Sequence, residues 1–336
     1  MNKVLVTGGT GFIGSHLVET LLKQNRKVRV LALRSPSNPI ELENEEILRK
    51  KGCEIVYGDL LDKESLVAAV EDVDTVFHLA GISRPMKIGP RQYYGANVVG
   101  TKNLLESIRA KSIKRFVHVS TVSVLGVSPN GHPLREDEFQ YESMYYAQSK
   151  REGEYVALQY FYEYKIPVVV IRPCLVYGPR CLVRLIMFKY VKLGLFPLFN
   201  DGQALMEFAY VDNVVNSLLL AEQKENILGE VFNITDGRPY KIGTVLKIIA
   251  TQLGVRAPFI KISVPVGKFL GYVSEIISTF LGIYPPFSST AADWMSRDVN
   301  VYDCTKAKKV LGYKPKVSLE EGIKKSIEWY KSKKLL

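Results

Sequence analysis

The chain has 336 residues, 47% of them hydrophobic and 24% charged, which is ample for a large core and suits one large domain or one domain with a smaller lobe. Its net charge of +11 reads first as a basic solvated surface, and also fits an acidic ligand such as a nucleotide phosphate or an anionic membrane surface. No nucleic-acid motif accompanies that charge and the basic residues form no long block, so nucleic acid is not an expected partner.

The four cysteines (Cys53, Cys174, Cys181, Cys304) lie far apart with no metal-ligand spacing. No metal is expected. Reduced core cysteines imply a reducing, cytoplasmic setting, and no leader is expected ahead of a strand that starts at residue 3.

The apolar run Val4-Leu-Val-Thr7 leads into Gly8-Gly-Thr-Gly11-Phe12-Ile13-Gly14, and a helical pattern follows (His16, Leu17, Val18, Leu21, Leu22). Strand, tight turn and helix in that order suit a pyrophosphate. Gly8 permits the turn, Gly11 lets backbone approach the phosphates, Gly14 lets helix pack on strand, and the helix N-terminus meets the anion. The spacing is Gly-x-x-Gly-x-x-Gly, which differs from the common dinucleotide fingerprint.

Further strands are expected at Lys27–Leu33, Cys53–Tyr57, Thr75–Leu79, Arg115–Val119 and Pro167–Ile171. Helices are expected at Glu41–Lys51, from an Asp62 cap to Val70, at Arg91–Lys111 and at Ser143–Tyr164. The strands are near-continuous apolar runs, as in a parallel sheet covered on both faces. The expected fold is α/β, a doubly wound parallel sheet of Rossmann type, with ligands at the carboxyl ends of its strands. Residues 1–175 form the nucleotide-binding domain, with return segments near 208–235. Residues 176–336 form mainly a smaller C-terminal substrate lobe, with helices at Leu182–Leu195, Gly243–Leu253 and Leu319–Tyr330. The apolar stretch Phe269–Phe287, interrupted by Glu275 and closed by Pro285-Pro286, reads first as a helix covering an apolar substrate pocket and second as an interfacial helix.

Tyr146 and Lys150 stand four apart on a helix, hence on one face. An ammonium beside a phenol stabilises the phenolate, which makes a general acid/base for an alcohol oxygen. Ser120-Thr121 ends the fifth strand, where a hydroxyl can hold a substrate oxygen or merely cap a turn.

These motifs, together with Gly58-Asp59-Leu60, His78-Leu-Ala80-Gly81, Asn97-Val-Val-Gly-Thr-Lys-Asn103, Arg172-Pro173-Cys-Leu-Val176-Tyr-Gly-Pro179 and Tyr210-Val-Asp-Asn213, resemble the extended short-chain dehydrogenase/reductases, the NAD-dependent epimerase/dehydratase superfamily, over nearly the whole chain. The resemblance implies that Tyr146 is the acid/base, that Lys150 binds the nicotinamide ribose and tunes Tyr146, and that Thr121 holds the substrate oxygen with Ser120 beside it. It places Asp59 and Leu60 near adenine, Ala80 and Gly81 near pyrophosphate and ribose, and Pro173 and Val176 on the nicotinamide side. Asn97 supports a proton relay. It also implies a homodimer built on the Tyr146 helix and the helix before it, through Val98, Leu104, Leu105, Ile108, Tyr155 and Leu158, although these residues could equally face the sheet.

NAD-binding members usually end the second strand with a carboxylate. Here Ala32-Leu33-Arg34-Ser35 has none, and Arg34 suits a 2′-phosphate, so NADP is favoured over NAD. Nucleotide-sugar epimerases and dehydratases usually carry an arginine where this chain has Met206. The run Leu205–Asn213, with Val214-Val215 following, and Val231–Asp236 look more like the 3β-hydroxysteroid and sterol dehydrogenases, with dihydroflavonol-type reductases close by. The expected function is therefore hydride exchange between a secondary alcohol and a ketone on a hydrophobic small molecule. A nucleotide-sugar 4-epimerase or dehydratase with retained NAD stays open, with Arg180, Arg184 and Lys189 as its phosphate pocket. So does a non-catalytic nucleotide sensor.

Overall fold

The computed structural model describes residues 3–36, 38–82, 89–128, 131–142, 144–257, 260–281, 289 and 299–336. The chain opens with β1 (Lys3–Thr7), α1 (Phe12–Lys23), β2 (Lys27–Ala32), α2 (Pro39–Lys50), β3 (Glu54–Tyr57), α3 (Lys63–Ala69) and β4 (Thr75–His78). Then come α4 (Pro90–Tyr94), a π turn at Gly95–Val99, α5 (Gly100–Ile108), β5 (Arg115–Val119), α6 (Tyr145–Tyr164) and β6 (Val168–Pro173). The single helix expected at Arg91–Lys111 is thus interrupted by the π turn, and the expected start of α6 at Ser143 lies outside the described residues.

After β6 the elements shorten. They are β7 (Leu175–Tyr177), α7 (Leu182–Lys192), β8 (Pro197–Leu198), β9 (Leu205–Met206), β10 (Phe208–Tyr210), α8 (Val211–Gln223), β11 (Val231–Ile234), β12 (Tyr240–Lys241), α9 (Ile242–Leu253), β13 (Ile260–Lys261), α10 (Val264–Leu281), β14 (Val299–Asn300) and α11 (Leu319–Ser332).

Seven strands make one parallel sheet in the order β11-β6-β5-β4-β1-β2-β3. The order reverses between β1 and β4, the crevice where doubly wound sheets bind ligands. Alternate residues of each strand enter different cores. Val4 and Val6, Phe77, Val117 and Val119, and Val169 and Ile171 pack on one face. Leu5, Val76, Phe116, Val168 and Val170 pack on the other. That is why these strands read as unbroken apolar runs. Asp62 caps α3, its Oδ1 accepting the Glu64 N–H at 3.1 Å.

Another cluster gathers α7, α9, α11 and β8 to β10 around Phe188, Met206, Ile249 and Tyr330. The chain nevertheless returns to the main sheet through α8 and β11, where Val231 pairs with Val170. All four cysteines are free and buried.

Candidate active site

The turn after β1 is built around its glycines. Gly8 has φ +68°, and a Cβ there would lie 2.8 Å from the Ala80 nitrogen. A side chain at Gly14 would collide with the Gly8 carbonyl oxygen, so α1 lies directly on the turn. A Cβ on Gly11 would meet just Gly8 O, at 3.1 Å, and otherwise open space. Gly11 caps α1 without a side-chain bond and the first turn holds no acid. The first-turn N–H groups, those of Phe12 and Ile13 included, and the positive helix end are left for an anion. This backbone cradle fits a dinucleotide pyrophosphate.

A hydrogen-bonded chain joins the cradle to the next strand and helix. Thr101 Oγ1 donates to Asn97 O at 2.7 Å, so its oxygen accepts from His78 Nε2 at 2.9 Å. His78 Nδ1 is then bare and accepts from the Thr7 hydroxyl at 2.7 Å, whose oxygen takes the Ala80 N–H at 3.2 Å. Burial, with the Lys150 charge adding to it, holds His78 down at about 3, so it stays neutral as this chain of bonds requires. Asn97 sits in the π turn. Its Oδ1 accepts the Ile82 N–H at 2.9 Å and its Nδ2 donates to Ser149 Oγ at 2.9 Å. A Cβ on Gly81 would stand 2.5 Å from Asn97 Oδ1, and one on Gly153 of α6 would overlap Asn97 O. The π turn and α6 therefore touch backbone to backbone.

At the far end, Gly58 N–H donates to Ala32 O at 3.0 Å, which sets Asp59 and Leu60 beside the end of β2. Asp59 is exposed and its Oδ1 takes the Leu61 N–H, while Leu60 is buried and its carbonyl accepts from Asn103. Arg34 is exposed with its guanidinium 5.1 Å from the centre of the Tyr57 ring. It has no ion-pair partner among the described residues.

At the reacting end, Thr121 follows β5, buried, with Oγ1 accepting the Ser123 N–H at 3.2 Å and donating to Ser123 Oγ at 3.3 Å. Thr121 stands beside the Tyr146 hydroxyl. Burial raises the Tyr146 phenol above its usual value, and the neighbouring Thr121 hydroxyl and the nearby Arg184 charge pull it back. Lys150 makes its own hydrogen bond to the backbone of β5. Its ammonium donates to Val119 O at 2.7 Å, and burial lowers it to about 8. The spacing that puts Tyr146 and Lys150 on one helix face thus leaves the ammonium bonded to the end of β5. Ser120 is buried beside them, its Oγ without a partner. Pro173 ends β6, and Val176 pairs with Ala209 in the strand that follows.

Beneath this site Glu154 and Arg172 form a buried ion pair, Nε to Oε2 at 2.9 Å. The sequence alone gave no signal for it, because the partners lie on different elements.

The proposed phosphate pocket of Arg180, Arg184 and Lys189 does not assemble. Arg180, at φ +71°, folds back on α1 and donates to Ser15 Oγ and Glu19 Oε1, both at 3.1 Å. Lys189 is exposed on α7, leaving Arg184 near Tyr146. Met206 is buried at 1% exposure within the apolar cluster. Next to it Glu207 lines a separate concavity of about 530 Å³ with His132, Cys304 and Lys308, and burial lifts its carboxyl to about 7. No residue named for cofactor or proton transfer lines that concavity.

Of the expected dimer residues, Leu104, Leu105 and Ile108 are core and face the sheet. The outward side of the same helices shows Val99, Tyr155 and Tyr162.

The model of the NAD dependent epimerase/dehydratase family matches residues 4–235. The chain belongs to that family. Mouse sterol-4-alpha-carboxylate 3-dehydrogenase, decarboxylating, is 28% identical over 343 residues, 97% of this chain and 90% of the mouse protein. A Bacillus subtilis protein described as an uncharacterized UDP-glucose epimerase is 28% identical over 98% of each chain. The crystal structure of UDP-glucuronic acid 4-epimerase from Bacillus cereus in complex with NAD superposes with a TM-score of 0.79 at 26% identity, covering 98% of this chain and 99% of that one. This member of the epimerase/dehydratase family is an enzyme of the extended short-chain dehydrogenase/reductase type, and its structural neighbours bind NAD.

Proposed function

We propose that this enzyme is an NAD(P)-dependent oxidoreductase that interconverts a secondary alcohol and a ketone on a hydrophobic, steroid- or flavonoid-like substrate. Met206 carries the substrate class. An apolar side chain buried in an apolar cluster stands where the nucleotide-sugar enzymes that this chain resembles place an arginine. The family's sterol dehydrogenases support the same reading.

In this reading the cradle of Gly8, Gly11, Phe12, Ile13 and Gly14 holds the pyrophosphate, Asp59 and Leu60 flank adenine, and Ala80, Gly81, Asn97, Ser120, Pro173 and Val176 line the rest of the cofactor. A bound nicotinamide supplies or takes the hydride. Thr121 Oγ1 donates to the substrate oxygen, and Tyr146 gives its proton to that oxygen in reduction or takes it back in oxidation. Lys150, charged below about pH 8, holds a ribose hydroxyl and lends positive charge to the site. NADP is placed ahead of NAD because β2 ends without a carboxylate and exposed Arg34 is available to a 2′-phosphate. A homodimer on the outward side of α4 to α6 and a cytoplasmic setting, suited to four free buried cysteines, belong to the same reading.

The test is to purify the protein without added nucleotide, denature it and identify what is released. An empty protein that binds NADPH more tightly than NADH and reduces sterol-like ketones fits the proposal. Stoichiometric NAD would replace it with a nucleotide-sugar epimerase or dehydratase that recycles its cofactor. Ala32→Asp with Arg34→Ala is expected to shift the NADPH-to-NADH affinity ratio about tenfold toward NADH; an unchanged ratio removes the NADP assignment.

A further inference from the structure

Helix α10 is inside out. Its inward side is small: Gly267, Gly271 and Ser278 are buried, and a Cβ on Gly267 would run into the Phe199 ring. Its outward side is bulky. Val266, Phe269, Leu270, Ile276, Ile277 and Phe280 recur at the three- and four-residue spacing of one helix face, and all are exposed, Phe269 at 66% and Phe280 at 86%. The expected roof over a substrate pocket would turn these side chains inward; among the described residues nothing covers this face, and the end of the expected stretch, Gly282 to Phe287, lies outside the described residues.

The stripe does not end with the helix. β13 pairs with β8, which follows the exposed Leu195, and Ile260 of β13 is exposed as well. Exposed lysines stand on the same and adjoining elements: Lys268 on α10, Lys261 on β13, and Lys189 and Lys192 on α7, the helix that leads into β8. One of these lysines is itself paired with an acid. Asp201 pairs with Lys261 at 2.7 Å, and Glu275 Oε1 accepts from Ser289 N–H and Oγ. No helix among the described residues is long and apolar enough to cross a membrane.

We propose that α10 and these lysines dock this enzyme on an anionic lipid surface, with Phe269 and Phe280 entering the boundary between headgroups and acyl chains. An apolar stripe accompanied by lysines suits such a boundary, where each nearby cation adds attraction to anionic headgroups. A second copy of this chain would bring the same lysines, and a net +11, against themselves. The inference does not depend on the substrate reading, because lipid binding is measured without turnover.

Flotation of the full chain with phosphatidylcholine vesicles containing about one-third phosphatidylserine is the test. Wild type is expected to float with these vesicles, several-fold less with phosphatidylcholine alone, and less again as salt rises. Phe269→Ser with Phe280→Ser is expected to weaken partitioning about tenfold or more, with melting temperature and cofactor affinity unchanged. Lys189→Glu with Lys192→Glu should remove the preference for the anionic vesicles. Failure of wild type to float, or equal flotation of the double-serine variant, overturns the proposal. So does concentration-dependent self-association in sedimentation velocity that the serine substitutions abolish, which would assign the face to a second copy.

Discussion

Helices α6 and α10 both break the rule that a surface helix turns its apolar side inward, and they break it differently. α6 buries Ser149, Lys150 and Glu154 and leaves Tyr155 and Tyr162 at 70% and 65% exposure. Each buried polar group has its partner: Asn97 and the Tyr146 carbonyl for Ser149, Val119 O for Lys150, and Arg172 for Glu154. α10 buries Gly267, Gly271 and Ser278, and Ser274 Oγ is buried without a partner. In α6 the inversion is explained by what lies inside. In α10 the inside explains only why the residues are small, so the cause lies on the outer face.

Substitutions on the two helices should therefore separate sharply. The largest effect is expected from Tyr146→Phe, with turnover down about 10³- to 10⁴-fold and cofactor affinity nearly unchanged in a fluorescence titration. Retained turnover would end the account of α6 as the proton-transfer helix. Next comes Glu154→Ala, which strands the Arg172 charge at 1% exposure. Urea unfolding should show a loss of about 3–5 kcal/mol, and a loss below about 1 kcal/mol would mean that the pair is not the keystone beneath the site.

Lys150→Met should move the other way. The native ammonium sits at about 8 against an ordinary 10.5, so burying its charge costs stability below pH 8. Between those values the unfolded chain holds the extra proton, and wild-type stability rises with pH relative to the variant. At pH 7 the variant should be about 1 kcal/mol more stable yet nearly inactive, and wild-type activity should fall above about pH 8. A variant equally stable at pH 7 and 9.5 relative to wild type would contradict this.

Smallest is Phe280→Ser on α10, within about 0.5 kcal/mol of wild type in the same urea experiment because the ring is already in solvent. A larger loss would mean that the outer face of α10 packs within the monomer.

What was legible in the sequence is what is short-range. The glycine turn, the strand runs and the Tyr146–Lys150 spacing are decided within a few residues, and β5 carries Thr121 to the tyrosine by its own length. The failures are all non-local. Arg180 reads as a pocket cation until its left-handed backbone turns it onto Glu19. Leu104, Leu105 and Ile108 make an apolar face whose direction depends on which side meets the sheet. The π turn inside the expected long helix follows from Asn97 bonding Ile82 and Ser149, neither of them near it in sequence. The apolar character of α10 was plain, but its orientation is set by Gly267 against Phe199, a pairing that periodicity cannot show.

Gly153 lies two helical turns beyond Tyr146, on the buried side of α6, with no room for a methyl group before the Asn97 carbonyl. It works as a gauge block. The clearance between α6 and the π turn is one backbone thickness, and α6 is rigid enough that the position of the tyrosine oxygen inherits that tolerance. The outer lobe can be reshaped for new substrates while this spacing holds, because the reaction centre is set from two turns away along the same buried side of the helix.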